Sequence, residues 1–357
     1  MFDYLIIGQG LAGTVLAHTI QKEGKSVYIL DKENPKAAYK VSAGIVNPIT
    51  GKRINKTWMA EALFPFLFPF YEELEQLLGH AFVHRLPVYK PFSSILEQNE
   101  WLSKAFEQNY APFIDTDIPK PKYENYVYNE YGGFETRYSG YIDVVALVER
   151  YRAYLSELKI YRKIERVHLE LYPDHVSVNE IKAKRAIFCE GASASENPYF
   201  SWLPFRFSKG QILEIESDQL SEEVILNKGA FVVPLGDNRY RAGSTYENKF
   251  KNTEITDAAT KDIRQRLDNM LKVRYKITGA TAGIRPAVVD RKPLIGIHPE
   301  IKTIGIFNGL GTKGVSLAPY FARRFYKHLE EGEPLDPEVA ITRFMSLYPE
   351  TSRYIPC

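Results

Sequence analysis

The stretch Phe2 to Asp31, FDYLIIGQGLAGTVLAHTIQKEGKSVYILD, leaves this chain few folds to choose from. Tyr4 to Ile7 is an apolar run without polar alternation, the pattern of a strand buried on both faces. Gly8, Gly10 and Gly13 follow at dinucleotide-binding spacing. Gly8 allows the tight turn off the strand, Gly10 lets a pyrophosphate approach the backbone, and Gly13 lets the next helix pack close to the sheet. That helix carries Val15, Leu16, Thr19 and Ile20, stops at Gly24, and presents its free N–H groups to the phosphates. A second strand, Val27 to Leu30, ends on Asp31, whose carboxylate suits a ribose hydroxyl pair. Strand, glycines, helix, strand and acid come in the order the motif requires, and the motif alone serves NAD and FAD equally.

At 357 residues the chain is longer than one hydrophobic core usually serves, so two domains are expected. Its net charge of +2 offers no general attraction to polyanions, and nucleic acid is not an expected partner. Cys189 and Cys357 lie far apart and the seven histidines show no ligand spacing, so neither a disulfide framework nor a metal site is expected. That cysteine usage fits a reducing cytoplasm, and with fold-forming sequence directly after Met1 no signal peptide is expected. The most apolar segment, Ala62 to Tyr71, is too short to cross a bilayer and is interrupted by Pro65 and Pro69. It reads as core or domain interface, and no membrane insertion is expected.

After Asp31 a polar loop beginning at Lys32 leads to Ser42, Ala43 and Gly44, small enough for backbone to lie flat against a planar ligand. Trp58 to Leu78 reads as a pair of helices with proline-marked starts, and His84 to Phe92 as a strand. A helix from Asp143, its N-cap, to Leu158 places Leu147, Val148, Tyr151, Leu155 and Leu158 on one face. Strands are expected within Lys159 to Val178 and over Ala186 to Cys189, the latter opening into Glu190-Gly191-Ala192. From Lys209 the pattern becomes antiparallel, with a hairpin turn at Gly236-Asp237-Asn238. A helix over Thr256 to Lys272 follows, with Ile263, Leu267, Met270 and Leu271 on one face. Strand Thr303 to Asn308, the loop Gly309 to Gly314 and a helix to Leu329 close the pattern, with Pro319 deep enough in that helix to be strained. The expected fold is α/β. A Rossmann-like nucleotide domain is assembled from residues 1–55, 136–205 and 279–357, and a mainly antiparallel second domain from 56–135 and 206–278.

GQGLAG, SAGIVNP, FCEGA, KGQIL, RAGSTYE, GIRPAVVDRKPLIG and NGLGTKGVSLAP together resemble the D-amino acid oxidase, glycine oxidase and sarcosine oxidase family of FAD-dependent oxidoreductases. The last two are the most specific, and only residues 56–135 match by composition alone. The resemblance implies that Gly8, Gly10, Leu11, Ala12 and Gly13 cradle the FAD pyrophosphate, with Asp31 and the adjoining Lys32 at the adenosine ribose. Family members more often carry Glu at that position. Ser42, Ala43 and Gly44 would line the flavin, Gly191 would approach the diphosphate, and Gly309, Gly311, Thr312, Lys313 and Gly314 would meet the flavin's pyrimidine edge. Helix-start N–H groups and Lys313 would there stabilise the negative charge of the reduced flavin. No His or Cys sits just after Asp31 or in the last glycine loop, so the resemblance implies non-covalent FAD.

The implied reaction is oxidation of a C–N bond in a small amine bearing a carboxylate, with oxygen or another acceptor reoxidising the flavin. Arg285 would grip the carboxylate through two parallel hydrogen bonds; its structural alternative is a salt bridge to Asp290. Tyr246 and Arg53 are further candidates at that site, with packing and a surface charge as their alternatives. Three rival readings share the scaffold. A 2-hydroxy acid dehydrogenase would need a base such as His, a flavin domain acting on a tRNA wobble uridine would need a basic surface, and a non-catalytic flavin-binding protein would need neither.

Overall fold

The computed structural model describes residues 1–50, 54–115 and 122–349. Parallel strands form the centre of its largest sheet, in the order Tyr161–Lys163, Val27–Asp31, Phe2–Ile7, Ile181–Phe188 and Ile304–Asn308. Leu5 and Ile7 are buried in one apolar cluster, with Val176, Val178, Phe200 and Ile341, and Tyr4 and Ile6 in another, with Val15, Leu16 and Phe321, so both faces of the first strand are covered and it shows no alternation. The sheet's order is fixed by register: Ile7 lies opposite both Leu30 and Phe188, and Phe188 opposite Ile306. The junctions after Ile7, Asp31, Phe188 and Asn308 therefore lie along one edge. The antiparallel strands Val176–Val178 and Leu169–Leu171 extend the sheet beside the start of Ile181–Phe188.

The helix after the glycine motif, α1 (Leu11–Lys22), packs with α6 (Gly314–Glu331), and α6 also packs on α2 (Ala60–Leu78). The segment Trp58 to Leu78, expected as two helices, is one, because Pro65 and Pro69 stand with Glu61 on its exposed face. The carbonyls of Glu61 and Pro65 that they leave without donors are thus on the side open to water. Leu63, Phe64, Leu67, Phe68 and Tyr71 on the opposite face are buried, as the core reading of this apolar stretch requires. Between these, α3 (Ile95–Ala105) starts at Ser94, whose hydroxyl accepts from Glu97 N at 3.2 Å. The helix α4 (Val144–Glu157) is capped by Asp143 as expected, but Leu158 is exposed.

A second sheet of seven strands runs Lys276–Arg285, Ser208–Glu216, Arg239–Gly243, Ala230–Gly236, Ile225–Lys228, Val88–Pro91 and Gly133–Thr136. It is antiparallel except where Ile225–Lys228 meets Val88–Pro91. Asp237 and Asn238 both take positive φ, 55° and 58°, the geometry of a tight hairpin turn. Covering this sheet, α5 (Asp257–Asp268) is capped by Thr256 and buries Ile263 and Leu267, while Met270 and Leu271 just beyond it are buried too. The strand Lys276–Arg285 belongs to this sheet over its whole length, so the expected boundary at residue 279 falls inside a strand. The boundary at 136 likewise falls within Gly133–Thr136. Pairing decides membership here: Ser208 lies opposite Arg285, and Val88 opposite Thr136. Among the described residues no helix is long and apolar enough to cross a membrane.

Candidate functional site

The ends of the parallel strands line one cavity of about 1310 Å³, larger than the roughly 300–1,000 Å³ of ordinary small-ligand pockets. Gly8 takes φ +104°, and a Cβ there would stand 2.5 Å from the Cys189 carbonyl oxygen. A Cβ on Gly13 would stand 1.9 Å from the Gly8 oxygen, so the strand and α1 meet at a distance only glycine permits. Gly10 has open space above it, its nearest neighbour being the Tyr39 ring at 4.0 Å. Leu11 and Ala12 line the cavity in the first turn of α1, where backbone N–H groups have no partner within the helix. Asp31 accepts from Gln9 N and Glu33 N, each at 2.5 Å, which holds its carboxylate at the cavity wall next to Lys32.

Sequence reasoning passed over Gln9, which is fully buried and pins this loop from three sides. Its amide donates to Thr14 Oγ1 at 3.0 Å and Val148 O at 2.9 Å, and accepts from Arg152 Nε at 2.8 Å. Gly191, φ +58°, follows the strand Ile181–Phe188, and Asn308 Nδ2 donates to its carbonyl at 3.0 Å, tying two cavity loops together. Burial raises the Glu190 carboxyl above its ordinary value, and a hydrogen bond of 2.7 Å from Asn197 opposes the shift.

At the far end, Ser42, Ala43 and Gly44 form one wall. Gly44 takes φ +65°, and a Cβ there would stand 1.8 Å from the Ile142 oxygen, so this wall is pressed flat against the strand Gly140–Ile142. The loop Gly309 to Gly314 lines the same cavity, with Gly309 and Gly311 at φ +73° and +57° and Thr312 exposed. Lys313 caps α6, and its ammonium donates to Thr57 Oγ1 at 3.0 Å. Burial lowers the pKa of Lys313.

Arg285 ends the strand Lys276–Arg285 and reaches the same cavity. Its guanidinium donates to Thr245 O at 3.1 Å and Ser244 Oγ at 2.9 Å, and lies 4.2 Å from the centre of the Tyr246 ring. Burial lowers its pKa, and no carboxylate pairs with it among the described residues. The Asp290 alternative is taken up elsewhere: Asp290 accepts from Arg343 Nε at 2.8 Å. Tyr246, expected either as site residue or as packing, is exposed and stacks on Arg285. Arg53 lies outside the described residues. Three described acids line the cavity: Asp31 and Glu190 beside the first glycine loop, and Asp290 in its ion pair. No described histidine lines it, and no described cluster of His, Cys, Asp and Glu suits a metal.

A cavity of this size lined by a carboxylate, helix N-termini and close-packed glycine loops fits a flavin dinucleotide. The comparisons agree. Over residues 3–326 the chain matches the family model of the FAD dependent oxidoreductases, DAO. It is 24% identical to the uncharacterized oxidoreductase YurR of Bacillus subtilis, over 92% of this chain and 94% of that one. It is 25% identical to the tRNA 5-methylaminomethyl-2-thiouridine biosynthesis bifunctional protein MnmC of Legionella pneumophila, over 83% of this chain. The chain spans about half the length of that bifunctional relative, 46% of it. Among solved structures, glycine oxidase from Bacillus cereus superimposes with a TM-score of 0.76 at 18% identity, covering 94% of this chain and 96% of that one. Iminodiacetate oxidase from Chelativorans sp. BNC1 gives 0.75 at 18% identity, covering 94% and 98%. Fold, cavity and family model converge, and the chain belongs to the DAO family of FAD-dependent oxidoreductases.

Proposed function

We propose that this chain oxidises the C–N bond of a small amine carrying a carboxylate, an amino acid or an N-substituted glycine. The observation that carries this reading is Arg285, a partly buried guanidinium in the FAD cavity with no anionic partner among the described residues. Its bonds to Thr245 O and Ser244 Oγ and the Tyr246 ring fix its plane, and a planar carboxylate suits the donors that remain. We assign Gly8, Gly10, Leu11, Ala12 and Gly13 to the pyrophosphate and Asp31 and Lys32 to the adenosine ribose. Gly191 then approaches the diphosphate, Ser42, Ala43 and Gly44 face the flavin, and Gly309 to Gly314 meet its pyrimidine edge.

FAD, when bound, supplies the acceptor for a hydride leaving the carbon next to nitrogen. Arg285 holds the substrate by its carboxylate, so that this carbon is presented in one orientation. A neutral amine needs no protein base, which matches the described lining around Arg285. A 2-hydroxy acid would need one, and the described acids are at the nucleotide end or paired with Arg343. We further propose that FAD is held without a covalent bond. Cys189, the cysteine in the cavity lining, is buried with its thiol held well above the ordinary range, the opposite of a reactive thiolate.

A second reading, an amine carried on RNA, is favoured by the likeness to MnmC and by the exposed Arg206 and Arg291 that line the same cavity. Anaerobic spectra of the purified flavoprotein, taken before and after glycine, sarcosine, D-amino acids and 2-hydroxy acids, separate these readings. Small amino acids bleach the flavin and hydroxy acids do not, and Arg285→Ala keeps FAD but loses the bleaching. A flavin that no small acid bleaches defeats the first reading and moves the search to RNA-borne amines. Bleaching by hydroxy acids alone establishes the rival dehydrogenase.

A further inference from the structure

Thr57 is buried just before α2, at the end of the short pairing of Ile49–Thr50 with Asn55–Lys56. Its backbone is fixed on both sides, by Thr57 N to Pro48 O at 2.7 Å and Ala60 N to Thr57 O at 3.1 Å. A threonine hydroxyl has one proton to give and lone pairs to receive with. The proton goes to Asn47 O at 3.1 Å, which leaves Thr57 Oγ1 as the acceptor for Lys313 Nζ at 3.0 Å. An ammonium is a donor only, so the direction of both bonds is determined. Of its three N–H groups Lys313 spends one on Thr57; no described residue accepts the other two, and the side chain lines the FAD cavity.

We propose that Thr57 is a positioning residue. Through Asn47 O and its own hydroxyl it holds the Lys313 ammonium in one place, with its remaining donors facing the cavity where the electron-rich edge of a reduced flavin lies. The inference rests on the contact between the Gly309 to Gly314 loop and the flavin proposed above. Held rigidly in a partly buried site, such a charge stabilises an anionic flavin more than a swinging lysine does, because no reorganisation is needed when the charge develops. Burial lowers the pKa of Lys313, and an anionic neighbour acts against that shift.

The test uses the holoprotein and two readouts independent of turnover: the dissociation constant of sulfite, whose adduct makes the flavin anionic, and the two-electron midpoint potential of bound FAD. Lys313→Met is expected to weaken sulfite binding tenfold or more, a fall of about 30 mV per tenfold in potential. Thr57→Val reproduces most of that loss, Thr57→Ser restores wild-type values, and the double variant is no weaker than Lys313→Met alone. Should Thr57→Val not retain FAD, Thr57→Cys is read in its place. Wild-type sulfite affinity in the Thr57 variant beside a weakened Lys313→Met overturns the inference, as does a loss that adds in full to that of Lys313→Met. If Lys313→Met changes neither readout, the proposed loop-to-flavin contact has failed and the role of Thr57 falls with it. That outcome leaves the Arg285 reading to its own test.

Discussion

Gly210 shows how a residue without a side chain shapes a site. A Cβ there would stand 2.0 Å from a terminal nitrogen of Arg285, so the guanidinium lies directly over that stretch of backbone. Any side chain must push Arg285 away from Ser244 and Thr245. Gly210→Ala is therefore expected to leave FAD bound and to raise KM for a carboxylate substrate. A displaced charge-assisted contact of about 1.5–3 kcal/mol corresponds to a ten- to hundredfold loss in kcat/KM. Steady-state kinetics beside the visible spectrum checks this; an unchanged KM would mean that Arg285 does not take the carboxylate. The KGQIL motif was visible in the sequence as a family segment. The reason for its glycine was not, because Gly210 and the Arg285 side chain meet only when their strands pair.

At the scale of elements, α6 carries a proline that the sequence marks as strained. Pro319 has no N–H for the carbonyl of Val315, four residues back, and both are buried. The structure supplies a substitute donor: Tyr71 Oη, from α2, donates to Val315 O at 2.9 Å. The two helices are therefore joined by a hydrogen bond as well as by apolar packing. Tyr71→Phe would keep the packing and leave a buried carbonyl unsatisfied, a loss of about 1–3 kcal/mol in unfolding free energy by urea titration. Restoring a donor from within α6 by Pro319→Ala is expected to recover much of it in the double variant. The same pairing explains why the apolar segment at residue 62 became core: it is the buried face of α2, which packs on α6 and α4.

For the whole molecule, stability depends on pH through a buried imidazole. His298 Nδ1 accepts from Ile301 N at 3.1 Å and Glu300 N at 3.3 Å, a role that only the neutral ring can fill. Burial lowers its pKa from 6.5 to about 4. The unfolded chain therefore binds the proton first as pH falls, and stability is complete above pH 6.5, declines towards pH 4, and levels off below for this group. Its share of the slope is up to about 1.4 kcal/mol per pH unit within that window. Denaturation of wild type and His298→Gln across the window measures it, and parallel pH profiles for the two proteins would remove His298 from the account.

Local sequence determined what a few neighbouring residues settle among themselves: the apolar first strand, the Gly8 to Gly13 turn into α1, the Asp143 and Thr256 caps, and the hairpin at Asp237-Asn238. Backbone preference, hydrogen bonding within a turn and helical or alternating periodicity act over a handful of residues, so a linear string records them. Even the loops after Ile7, Phe188 and Asn308 were legible, since each follows a strand in the chain. The tertiary structure alone decided that Pro65 and Pro69 face water, so that two expected helices are one, and that the strand carrying Arg285 sits in the second sheet. It alone brought Lys313 to Thr57, 256 residues away, and Tyr71 to Val315, 244 residues away. Such contacts follow from which strands pair and which helix faces meet, and no spacing within the chain encodes a partner that packing brings in from elsewhere.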